Sequence, residues 1–307
     1  MNLSKHILLL FIFASCSLSA QESSVSLFDE KLNQFLNTRD FCISEKGNEA
    51  FLSIQSPDGK ISQIAAIKKK NSVWSTPELM FFCDENSYLE PFLTYDGKRL
   101  FFVSDRPNNS SNKGKKNFDI WYIERNTLHG AWSKPINLGS PVNTESDEFY
   151  PTLSENGNLY FTVDSPDGMG KDDIYISIWN GKEYSLPTLL NNNINSDGFE
   201  FNAFISKDES FLLYTKYNAE GGFGSGDLYI SKKDPEGNWQ KAENLGDIVN
   251  TTSMEYCPFY DEKTQTLYFT SRRNLIRPKK FKNIAEFQQY LNSENGLSKI
   301  YKTKIRF

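Results

Sequence analysis

The chain has 307 residues, 38% of them hydrophobic and 14% aromatic, with 24 Phe and 15 Tyr and a formal net charge of −5. That composition belongs to a folded protein, and the aromatic surplus favours strands, where flat side chains pack on a pleated, half-buried surface. Acids and bases are interspersed (39 against 34), so no basic stripe stands ready to displace counterions, and nucleic-acid partners are excluded.

In chain order, Lys5 and His6 precede the apolar run ILLLFIFA, and SLSA stands before Gln21. This predicts a signal peptide over residues 1–20, cleaved after Ala20. FAS before Cys16 offers a second reading, a lipoprotein box that would make Cys16 the lipidated first residue. Either way the chain is exported, to the periplasm, the outer membrane or the cell surface. No later segment is apolar for long enough to span a bilayer. Residues 21–40 hold LFDEKLNQFL, which reads as a short amphipathic helix or as a strand that closes a larger assembly.

From Phe41 onward the chain repeats. Aligned on one position, the units fall at Phe41, Pro91, Pro151, Ala203 and Pro258, spaced 50, 60, 52 and 55 residues apart. Each unit carries a short apolar segment (PFLT, PTLS, AFIS, PFYD) and a turn such as YDGK or ENGN. An aromatic strand (LFFVSD, LYFTVD, FLLYTK, LYFTS) and a third strand (DIWYI, DIYIS, DLYIS, KIYKT) follow, then a Trp- or Tyr-led apolar stretch. Four short strands per unit make a propeller blade, and stacked blades close into a ring. The expected fold is all-β: a β-propeller of five four-stranded blades over residues 41–307. The last unit lacks its Trp-led fourth strand, which residues 24–36 could supply. The phrases P-x-L-S-x-x-G-x-x-Y-F, D-[IL]-Y and W-[S/Q]-x-x-x-x-L-G resemble the PD40 (WD40-like) repeats of TolB-type propellers, exported proteins of the Bacteroidota. The resemblance covers roughly residues 41–307 and implies a protein-binding scaffold of the cell envelope. It carries no catalytic motif.

Three polar columns repeat. Glu148, Glu200 and Glu255 stand three residues before the aligned position, and Asn143, Asn195 and Asn250 five residues earlier still. The glutamates read either as a carboxylate ring at the channel mouth, able to bind a ligand or Ca²⁺ (although no specific calcium motif is present), or as braces of their own loops. Asp119, Asp173 and Asp227 open the third strands and are expected to brace the preceding glycine-rich loops. Two insertions break the script: SDRPNNSSNKGKKNFD in blade 2, and SRRNLIRPKKFKNIAEFQQYLNSENGLS in blade 5. The second gathers Arg272, Arg273, Arg277, Lys279, Lys280 and Lys282 with no acid between them. A short helix is expected after Asn283 as N-cap, with Glu286 completing a capping box, Ile284, Phe287 and Leu291 facing inward, and Asn295-Gly296 as its end. With Arg106, these cations would form a basic rim on the top face.

Cys42, Cys83 and Cys257 lie at unpatterned spacing and read as buried free thiols. His129 is the sole histidine beyond the signal peptide, which excludes multi-histidine zinc sites and argues against a Ser-His-Asp triad. The expectation is an exported, monomeric, non-catalytic propeller without a cofactor. It would bind an envelope protein or a glycan at its top face through Glu148, Glu200, Glu255, Arg106, Arg272 and Arg273. The alternative is a carbohydrate-active enzyme using Glu148, Glu200 and Glu255, with Asp147 or Asp197 as helpers. Such chemistry needs two carboxylates about 5–5.5 Å apart for retention or about 6.5–9.5 Å apart for inversion.

Overall fold

A computed structural model describes residues 24–108 and 117–307. The predicted signal peptide with Cys16, and the middle of the blade-2 loop, lie outside the described residues. The described chain is a five-bladed β-propeller. Blade 2 runs Tyr88–Leu93, Arg99–Ser104, Asp119–Glu124 and Ile136–Asn137 from the channel outward. Blade 3 (Asp147–Leu153, Leu159–Asp164, Asp172–Ser177, Thr188–Leu189) and blade 4 (Glu200–Ile205, Phe211–Tyr217, Gly226–Lys232, Glu243–Asn244) repeat that order. Blade 1 starts from Asn37–Ile43, Glu49–Gln55 and Ser62–Lys70, and its third strand pairs with both Val73–Trp74 and Glu78–Leu79. Burial on both faces explains the near-continuous apolar runs: every residue of Thr266–Ser271 in blade 5 is buried.

Blade 5 (Glu255–Asp261, Thr266–Ser271, Lys299–Lys304) takes its outer strand from the other end of the chain, where Ser26 pairs with Lys302 and Leu27 with Tyr301. The two readings of this segment are both realised in part. Beyond the strand, Glu30–Gln34 forms a 3₁₀ turn whose N-cap Asp29 accepts from the Lys31 amide. Phe28 then wedges between the first and last blades, its ring 4.4 Å from Phe41 and 5.7 Å from both Trp74 and Tyr268. Edge and T-shaped contacts of this kind add to the area buried and seal the ring.

In blades 2–4 an asparagine column extends the outer edge beyond its two-residue strand. Asn195 accepts from the Ile174 amide at 2.9 Å and donates to the Ile174 carbonyl at 2.9 Å and the Leu190 carbonyl at 3.0 Å. Its side-chain amide thus stands in for a strand residue on the edge of the third strand. Asn143 on Ile120 and Asn250 on Leu228 do the same. Asn195 is fully buried, so Asn195→Ala would strand the Ile174 amide and carbonyl. A loss of about 2–3 kcal/mol is expected, read as a lower urea midpoint at unchanged slope.

Candidate functional site

Every inner strand breaks register near its middle, between Arg39/Cys42, Leu89/Phe92, Phe149/Thr152, Phe201/Phe204 and Tyr256/Phe259. The first extra residue of each bulge has a left-handed backbone: Asp40 (φ 56°), Glu90 (58°), Tyr150 (50°), Asn202 (53°) and Cys257 (51°). These five occupy one column, immediately before the aligned position. None is glycine; Asp40 and Asn202 are residue types that tolerate this conformation, and at Glu90, Tyr150 and Cys257 it costs about 1–2 kcal/mol. The strain is compensated by a closed polar ring across the channel. Glu90 Oε2 accepts from the Tyr150 amide at 2.7 Å, and Asp40 Oδ2 from the Glu90 amide at 3.2 Å. Asn202 Nδ2 lies 3.4 Å from Glu90 Oε1. The Cys257 thiol has two acceptors in reach, Asp40 Oδ1 at 2.9 Å and Asn202 Oδ1 at 3.4 Å. Arg39 sits above the ring, 2.6 Å from Asp40 and 2.8 Å from Glu90.

On the side where the inner strands begin, a cavity of about 200 Å³ opens over this floor. Phe149, Phe201, Tyr256 and Met254 form its walls, and Arg39, Arg272 and Asp172 its polar edge. The Tyr256 ring holds two guanidiniums, Arg39 at 5.1 Å and Arg272 at 5.5 Å from its centroid. Arg39 is engaged by Asp40 and Glu90, whereas Arg272 makes no ion pair among the described residues. Burial pushes the Glu90 carboxyl up to about 7 against the pull of Arg39. Asp172 is raised to about 6, by burial and then by Asp164, its partner across the strand pair. At the opposite end of the channel, Lys207 ties the blades together, 3.0 Å from Glu45 and 3.1 Å from Glu155, and its amide donates to Glu262 at 2.7 Å.

The glutamate column lies beside this cavity, each member held within its own blade. Glu148 Oε1 accepts from the Thr144 amide (3.1 Å) and hydroxyl (2.6 Å), while its buried Oε2 has no partner among the described residues. Burial raises its carboxyl to about 7. Glu200 repeats the contact with Ser196 and adds Lys216 at 3.3 Å. Glu255 repeats it with Thr251 and adds Ser271 and Arg273, at 2.6 and 3.4 Å. No hydrogen bond or ion pair joins the three. Of the expected rim cations, Arg272 lines the cavity. Arg273 is turned to Glu255 and the Val249 carbonyl, and Arg106 lies over the Trp121 ring at 5.1 Å. Asp147 accepts from the Phe118 amide at 2.7 Å. Asp197 belongs to the loop before Glu200 and does not line the cavity.

Asp173 and Asp227 hold their glycine loops as expected, accepting from the Met169 and Gly170 amides and from the Phe223 and Gly224 amides, whereas Asp119 accepts from the side-chain amides of Asn117 and Asn137 at 3.2 and 2.7 Å. A Cβ on Gly224 would sit 2.0 Å from the Ser253 carbonyl, so only glycine fits there. Cys42, Cys83 and Cys257 are free thiols. No cluster of three or more potential metal ligands occurs among the described residues.

The helical insertion departs from expectation. Helix α1 (Ile284–Leu291) has Asn283 as N-cap, accepting from the Glu286 amide at 2.9 Å, but Glu286 returns to the Lys282 amide, one residue short of the capping box. The helix ends at Asn292, not at Asn295-Gly296. Ile284, Phe287 and Leu291 do not face inward: they are 76%, 38% and 41% exposed. The insertion folds instead on its own aromatic nucleus, Phe281 against Phe287 and Tyr290 at 4.8 and 5.4 Å, with Lys279 4.3 Å from the Tyr290 ring centroid. That leaves the helix without a barrel surface to cover.

No protein-family model matches the chain, and no curated protein matches it. Solved structures do. The chain is similar to the protein of a BT0996 complex with RGII, at 10% identity and a TM-score of 0.55, over 88% of this chain and 90% of that one. It is similar to hydrazine synthase from Kuenenia stuttgartiensis, at 12% identity and a TM-score of 0.51, over 78% of this chain but only 36% of the other. A protein reported as TolB from Agrobacterium tumefaciens matches at 12% identity and a TM-score of 0.49, over 93% and 99% of the two chains. At these identities the likeness is one of fold: a β-propeller shared with proteins of different function.

Proposed function

We propose that the protein is an exported, TolB-type propeller of the PD40 kind that binds without catalysis, seating the end of a glycan or of an envelope-protein segment in the cavity at its channel mouth. The lysine-led apolar run of residues 7–14 supports export, to the periplasm or the cell surface. The observation that carries the reading is the cavity itself. Aromatic walls offer flat apolar contact, Arg272 offers a cation without an ion pair among the described residues, and the floor is a fully engaged polar ring. Both oxygens of Glu90 are already acceptors, so its role is to hold the floor rigid.

The test is a thermal-shift screen of the full chain against sulfated, uronic and neutral oligosaccharides, with and without Ca²⁺, followed by product analysis. A ligand at a hundred times its dissociation constant should add about 2.7 kcal/mol. Phe201→Ala or Arg272→Ala should each weaken such a ligand about tenfold. Binding indifferent to both substitutions would place the ligand elsewhere and sink the proposal. A second reading, a carbohydrate-active enzyme, is favoured by two raised carboxyls, Glu90 and Asp172, lining one cavity. It also keeps Glu148, Glu200 and Glu255 as candidates. Cleavage products that disappear in Asp172→Asn or Glu200→Gln would establish it and assign the acid.

A further inference from the structure

The blade-5 insertion leaves the barrel at Arg272, beside the channel mouth, and presents two kinds of side chain to solvent. One is apolar: Ile284 (76% exposed), Leu275 (53%), Leu291 (41%) and Phe287 (38%). The other is cationic. Of the six cations of residues 272–282, only Arg273 and Lys279 reach an acid among the described residues, and the Lys279–Glu286 pair is loose at 3.7 Å. Arg277 caps the Asn274 and Ile276 carbonyls, and its charge is left over. The insertion is ordered from within, by the Phe281 nucleus and by the Arg277 amide on Tyr290 Oη at 2.8 Å, so it needs no partner in order to fold. No residue of α1 is buried against the barrel.

We infer that this insertion docks the propeller on an anionic lipid surface, Lys280, Lys282 and Arg277 lying among the headgroups and Ile284, Phe287, Leu275 and Leu291 entering the interface. Charge complementarity on an exposed insertion points to this occupant. The chain as a whole is acidic, at −5, and would be repelled by such a surface except through this patch, whose cations outnumber its one helical acid, Glu286. A short basic segment joined to exposed aliphatic and aromatic residues is the composition that partitions into a lipid interface. An acidic protein partner would pair with the cations but give the four apolar side chains nothing to enter. Docking there would also hold the channel mouth close to the membrane.

Flotation of the full chain with phosphatidylglycerol-containing vesicles, against pure phosphatidylcholine vesicles, tests this. Lys5 ahead of the apolar run can itself favour anionic lipid, so the readout is the part of the difference between the two compositions that the variants remove. At least tenfold more protein is expected on the anionic vesicles. K280E/K282E and, separately, L275S/I284S should each remove that difference while leaving the thermal melt in place. Equal partition on the two compositions would overturn the inference. So would retention of the preference in either variant. Capture on immobilised heparin that needs the lysines but not Leu275 and Ile284, with no vesicle preference, would overturn it in favour of a soluble polyanion.

Discussion

Replacing Arg39 by methionine is expected to lower the unfolding free energy by about 3–5 kcal/mol at pH 8, the range for breaking a buried pair by removing one partner. Methionine can fill the space beneath Tyr256, so the loss is electrostatic and not a cavity. Asp40 and Glu90 would then share the channel floor without their cation, with the Glu90 amide still 3.2 Å from Asp40 Oδ2. Two neighbouring carboxylates in a dry site relieve their repulsion by taking up a proton. The deficit should therefore shrink toward pH 5 and widen above pH 7. Urea unfolding of both proteins at pH 5, 6, 7 and 8 measures it, and a deficit that is constant across that range would show the ring is not coupled as described. A double substitution, Arg39→Met with Glu90→Gln, should recover part of the loss at pH 8, because it removes one of the stranded charges.

What the sequence disclosed and what it hid follow from how each feature is encoded. The blades were legible because each must bury both faces and so repeats the same apolar spacing five times. The asparagines, and Asp173 and Asp227, were legible for the same reason: the middle blades need their outer edge and glycine loop held in the same way, and Asn143, Asn195 and Asn250 do one identical job. The central ring has the opposite signature. Asp40, Glu90, Tyr150, Asn202 and Cys257 meet one another, not equivalent neighbours, so complementarity makes them differ, and an alignment searched for repetition passes over that column. Their left-handed backbones leave no trace either, since none is glycine. The detectable signal was the contrast itself, one column of unlike polar residues between the repeated glutamate and the repeated proline. The orientation of α1 was hidden for another reason. Ile284, Phe287 and Leu291 have the spacing of an apolar stripe whether that stripe meets a core or solvent, and only the self-contained packing on Phe281 decides it.

The same buried carboxyls predict a stability profile that falls as pH rises through neutrality. Burial raises the Glu90 carboxyl above the ordinary glutamate value of 4.5 and pushes Glu148 up to about 7, and burial with Asp164 raises Asp172 to about 6, above the ordinary aspartate value of 3.8. A group whose folded value is raised holds its proton more tightly in the folded state. Its contribution is complete below the unfolded value and is lost as pH climbs through the folded one. Between pH 5 and pH 8 the unfolding free energy should therefore drop by about 2–4 kcal/mol, less than the sum of the separate groups because Glu90 is partly held by Arg39. The opposing groups act outside this window. Asp58, Asp84, Asp208, Glu209 and Asp234 are held below their ordinary values, and their stabilisation is lost only in more acidic solution. Burial lowers Lys299 to about 8, so it releases its proton only at the alkaline edge. Glu148→Gln should flatten part of the slope without disturbing the channel floor, and Glu90→Gln should flatten another part while weakening the ring. Unfolding free energies that stay level or rise from pH 5 to pH 8 would mean that these carboxyls are ionised in the folded protein, and that the channel floor is wetter than its contacts imply.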